Sequence, residues 1–133
     1  MLDVATGDLL LVRFSPMNVE KFLQQAKDQA DYCESLGEER VYSISTFGLV
    51  KSDDDVIEDL VARICKEAPC RGRTIWLVTA STLREEGYDA HLSEPPPHHY
   101  DVILGKELHL TDVERVVELF EHGRETNPAW RTR

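Results

Sequence analysis

The order of patterns along this chain predicts an α/β domain: an open, largely parallel sheet of four to five strands flanked by three main helices. Two observations carry the prediction. Short β-branched or apolar runs alternate with stretches of helical periodicity, in the order β-α-β-α-β-loop-β-(β)-α. One run, RTIWLVTA at 73–80, is nearly all apolar from Ile75 to Val78, as in a central strand covered on both faces. Right-handed crossovers would then seat the helices on those faces. With 133 residues the expectation is one domain spanning 1–133, with a short C-terminal tail at 123–133.

Each element has its own signal. DLLLVRF, 8–14, reads as the first strand. Ser15 can cap the following helix, and Pro16 suits its first position. Val19, Phe22, Leu23, Ala26, Ala30 and Cys33 recur on one helical face, and Gly37 ends it. The opposite face, with Lys21, Gln25, Asp28 and Asp31, should be wet. RVYSISTF, 40–47, alternates and reads as the second strand. Ser52 can cap the next helix, with Asp53, Asp54 and Asp55 in a first turn that favours negative charge. Its buried stripe runs from Val56 to Cys65, and Ala68-Pro69 stops it. STLREEG after the third strand adds a short helical turn. HYDVIL, 99–104, is the fourth strand, and a Gly105-Lys106 turn would pair ELHL, 107–110, back against it. Thr111 and Glu114 form a capping box for the last helix, whose apolar face is Val113, Val116, Val117 and Phe120. Gly123 ends it.

Charge narrows the function. The net charge of −10 argues against nonspecific nucleic-acid binding and against anionic membrane surfaces. The apolar runs are too short to span a bilayer, and MLDVATGD lacks the basic start of an export leader, so a cytoplasmic location is expected. Three cysteines, Cys33, Cys65 and Cys70, are then expected to be reduced thiols. An acidic body suits a basic protein partner. Trp130 is expected to fold back on the domain or, as the alternative, to insert into a partner, and the tail arginines Arg124, Arg131 and Arg133 suit the acidic face of a second copy in a symmetric dimer.

In parallel sheets, ligands collect at the carboxyl ends of strands. Those ends carry Arg13, Ser15 and Asn18; then Ser45, Thr46 and Gly48; then Thr79, Ser81 and Thr82. Ser15, Ser45, Thr46, Thr79 and Ser81 are the candidate ligand-binding residues. The stretch LSEPPPHHYDVILG, 92–105, supplies candidate acid–base groups in His98, His99 and Asp101. Triproline would act as a stiff extended spacer in front of them. Alternation puts His99 and Asp101 on one strand face, the better pair for orienting an imidazole. They join the polar edge only if the fourth strand runs antiparallel to the third; otherwise they lie roughly 20 Å away, a strand length.

No CxxC pair, HExxH, GxSxG or glycine-rich phosphate loop is present, so neither a metal nor a cofactor is expected. The sequence favours a noncatalytic protein-interaction or regulatory module. The alternative is a small enzyme or ligand-binding protein using the polar edge, with His99 as base and Asp101 as its orienter.

Overall fold

A strand covered on both faces needs apolar residues on both, and Leu9–Arg13 (β1) meets that requirement with LLLVR. It lies inside a six-stranded sheet. The computed structural model describes residues 2–68, 70–128 and 130. In chain order the elements are β1, α1 (Val19–Ser35), β2 (Tyr42–Val50), α2 (Ile57–Cys65), β3 (Thr74–Thr79) and α3 (Ala80–Glu85). β4 (Ala90–Leu92), β5 (His99–Gly105), α4 (Leu110–Glu121) and β6 (Arg124–Thr126) follow. The spatial order is β4-β5-β2-β1-β3-β6.

Every neighbouring pair in this sheet is antiparallel. The expected largely parallel sheet of four to five strands is therefore overturned. The reason lies in where the chain re-enters the sheet. Val12 near the end of β1 pairs with Phe47, while β2 begins five residues earlier at Tyr42, beyond that end. The chain thus leaves and returns at the same end, and β2 runs back alongside β1. Strand composition agrees with this. β2 carries Ser43, Ser45 and Thr46 among its apolar residues, unlike the near-continuous apolar runs of buried parallel strands.

Two layers of helix close the sheet. Leu11, Ile44, Val78 and Val102 pack on one side with Phe22 of α1 and with Val116 and Phe120 of α4. Leu10, Val12, Ile75 and Leu77 pack on the other with Leu60, Val61 and Ile64 of α2. Each such buried side chain contributes roughly 1.5–3 kcal/mol over its exposed state.

Several element ends also differ from expectation. Asn18, not Ser15, caps α1, accepting from the Lys21 N–H at 3.0 Å. Residues 52–55 form a turn in which Asp55 accepts from the Ser52 N–H and hydroxyl, and α2 starts later, after Val56. Ser52 is thus not the cap, because its partner is that turn. The strand expected at 107–110 is absent, since α4 begins at Leu110 with His109 as its N-cap, so the Thr111–Glu114 box lies inside the helix. The short turn expected after the third strand is α3. The triproline is not an extended spacer: Leu92 pairs with Tyr100, and the Ser93 N–H donates to the His99 carbonyl, so 93–99 closes a hairpin.

Cys65 and Cys70 are joined as a disulfide, contrary to the reduced pair expected, and Cys33 is free. α2 ends at Cys65, and the chain turning back after it brings the two Cα atoms to 5.0 Å. Pro69, Arg131 and Arg133 lie outside the described residues. Part of the tail is ordered into β6, which pairs with β3, and Asn127 is buried behind it. Trp130 is 47% exposed and donates its backbone N–H to the Asn127 carbonyl. No described helix is long and apolar enough to cross a membrane.

Candidate functional site

β1 ends at Arg13 while β2 continues to Tyr42, so the backbone of Ser45 has no strand neighbour on that side. Two side chains take the missing strand's place. Arg13 Nη1 donates to the Ser45 carbonyl at 2.5 Å, and Gln25 Oε1 accepts from the Ser45 N–H at 2.9 Å. Arg13 Nη1 also reaches Gln25 Oε1 at 3.3 Å, and the guanidinium carbon lies 4.5 Å from the centroid of the Phe22 ring. Helix α1 thus plugs a notch in the sheet with Gln25 and Phe22.

The charge in that notch is unmatched. Among the described residues no carboxylate lies within ion-pair distance of Arg13. Its Nε is buried without a hydrogen-bond partner. Burial pushes the guanidinium down to about 10, so it still carries its charge at neutral pH.

A cavity of about 370 Å³ opens beside it. Val12, Phe14, Phe47 and Pro96 form the apolar wall. Arg13, Ser15, Gln25, Ser45, Thr46 and His99 supply the polar groups. Phe14 and Phe47 meet at 6.5 Å between ring centroids, and the His99 ring stands edge-on to Phe47 at 5.6 Å. The Thr46 hydroxyl is engaged, donating to the Val12 carbonyl at 2.8 Å.

His99 Nδ1 lies 3.0 Å from the Ser93 carbonyl. A carbonyl only accepts, so this partner assigns the proton to Nδ1 and the lone pair of the neutral ring to Nε2. Asp101 Oδ1 is farther, at 3.9 Å from Nδ1, and is buried without a hydrogen bond. Ser93 is therefore the group that orients the imidazole most closely. His99 and Asp101 do share a face, with Phe47 and Ser45 as their partners on β2.

The sequence-derived candidates separate into two groups. Ser15, Ser45, Thr46 and His99 converge on the cavity with Arg13. His98 does not line it: its carbonyl accepts from the Gly48 N–H, its N–H donates to Glu94, and its φ of 66° places it in the turn. Thr79 and Ser81 lie at the other end of β1. Thr79 pairs with Leu10 whereas Arg13 pairs with Trp76, about 10 Å away at the rise of a strand. There Thr79 caps α3 and the Ser81 hydroxyl donates to Asp8 at 2.5 Å. In an antiparallel sheet the carboxyl ends of strands alternate between edges, so they do not gather in one place.

Gln25, Phe14, Phe47 and Pro96 were not read as site residues. In sequence Gln25 falls on the wet face of its helix, but it lies one turn from Phe22 and beside Ala26, at the border of the buried face, where the Ser45 N–H meets it. A signal did exist at Arg13, a charged residue in phase with Leu9 and Leu11 on an apolar strand.

Among the described residues, no three His, Cys, Asp or Glu side chains are grouped to hold a metal ion. The chain matches no protein-family model, no curated protein and no solved structure.

Proposed function

We propose that this protein binds a small organic anion in the notch beside Arg13 and does so without transforming it. The observation that carries the reading is the largely buried Arg13 guanidinium, which lines a cavity, has an unpartnered Nε and has no carboxylate partner among the described residues. An unpaired buried charge costs several kcal/mol, and a bound anion would offset that cost. Hydrogen bonds to a charged group contribute roughly 1.5–3 kcal/mol each. The net charge of −10 opposes an anion at long range, but physiological salt screens such fields over about 8 Å, so the local contact decides.

Binding fits the site better than catalysis. His99 Nε2 has no hydroxyl or thiol within hydrogen-bond distance among the described residues, so no side chain is activated as a nucleophile. The ligand-binding alternative thus has more direct support than an interaction module, which draws on charge and Trp130 alone.

The test is an amide NMR titration with acetate and with acetamide, its neutral counterpart. Acetate should shift the Arg13, Ser45 and His99 signals saturably, and acetamide should not. Equal responses to both, or shifts scattered over the surface, would remove the claim.

A further inference from the structure

Resting on that reading, we infer that the anion is a carboxylate carried on a compact aromatic body, held between Arg13 and the Phe14–Phe47 wall. The guanidinium supplies the first argument. Its Nη1 is already engaged by Ser45 and Gln25. Nε and Nη2, on its other edge, have no partner among the described residues, and Nε is screened from solvent. Two parallel N–H donors on one edge match the two oxygens of a carboxylate. The first oxygen meets Nη2, and the second reaches Nε after a small shift of the guanidinium.

The wall supplies the second argument. Phe14, Phe47 and the His99 ring form a continuous aromatic surface, with Pro96 above it. Aromatic rings prefer offset or edge-on contacts with other rings at such spacings. Inorganic phosphate is poorly served here: it needs several charged donors around a strongly hydrated dianion, and this cavity offers one free guanidinium edge, a few neutral polar groups of which Thr46 and Gln25 are already engaged, and an apolar wall. Size agrees as well. At roughly 30 Å³ per water, 370 Å³ holds about a dozen water-sized groups, enough for a ring and a short acid arm.

Calorimetric titration of the full chain tests both levels. The probes are phenylacetate, acetate, inorganic phosphate and phenylethanol, the neutral alcohol of similar shape. Phenylacetate should bind at least about tenfold more tightly than each of the others, as one charge-assisted contact or one buried ring warrants. Ser15 is exposed at the cavity rim, so Ser15→Trp blocks the mouth without touching the core, and it should weaken phenylacetate about tenfold or more. Acetate or phosphate binding as tightly as phenylacetate would overturn the aromatic assignment and leave the anion site standing. Phenylethanol binding as tightly as phenylacetate, or no binding by any probe, would overturn both. Unchanged phenylacetate affinity in Ser15→Trp would overturn the placement in this cavity.

Discussion

Gly123 shows how one hydrogen atom in place of a side chain sets a contact. A Cβ built there would stand 1.9 Å from the Leu77 carbonyl oxygen, and the Gly123 carbonyl accepts from the Leu77 N–H at 3.0 Å. Backbone cannot yield as a side-chain tip can. Gly123→Ala should therefore lower stability by about 3 kcal/mol, read by urea denaturation, with an unchanged midpoint contradicting the contact. The sequence places this glycine correctly at a helix end, but its close approach to β3 depends on a tertiary contact that no local pattern encodes. Asp55 makes a pH prediction at the same scale. Hydrogen bonds from Ser52, with a further contribution from Arg63, hold its carboxyl down at about 2. A depressed carboxylate contributes stability above its unfolded pKa and loses it as pH falls through the folded value. Asp55→Asn should be less stable than the parent at pH 6, and the gap should close between about pH 4 and 2. A gap constant down to pH 2 would contradict it.

At the scale of elements, the short β1 makes the site. Had that strand run one residue further, Phe14 would stand opposite Ser45 as its backbone partner and Arg13 would have no notch to fill. β1, β2, β3 and β5 were legible in the apolar runs, whereas the short edge strands β4 and β6 were not and a strand expected at 107–110 is absent; Ser15, Ser45, Thr46 and His99 were legible as polar groups near strand ends. Strand direction was not, because alternation of elements says nothing about where a helix returns its chain. The polar residues Ser43, Ser45 and Thr46 within β2 held part of that information, since a fully covered parallel strand would be apolar nearly throughout. A second inter-element tie is equally testable. The Tyr88 hydroxyl, just past α3, donates to Asp112 in α4 at 2.7 Å. Burial first, then Asp112, pushes the phenol up to about 12. A raised pKa contributes stability fully below the unfolded value near 10, lost as pH rises through the folded one. Tyr88→Phe should cost about 1 kcal/mol at neutral pH. It should also remove the alkaline decline between pH 10 and 12. An identical alkaline limb in the variant would count against the tie.

Across the whole molecule, an acidic chain keeps a cation largely buried beside a cavity. Surface pairs such as Lys106–Glu39 sit in water and add little to stability. Arg13 differs because its Nε is screened from solvent and no carboxylate among the described residues pairs with it. Ligand binding to the native state alone raises stability by mass action, so phenylacetate at a hundredfold excess over its Kd should add about 2.7 kcal/mol. The most direct measurement is the NMR signal of the Arg13 side-chain Nε–H during titration with phenylacetate. The account predicts a downfield shift that saturates with the calorimetric affinity, as the orphaned donor gains a carboxylate oxygen. A signal that stays in place while the ligand saturates would show that the charge in the notch is structural and that the ligand binds elsewhere.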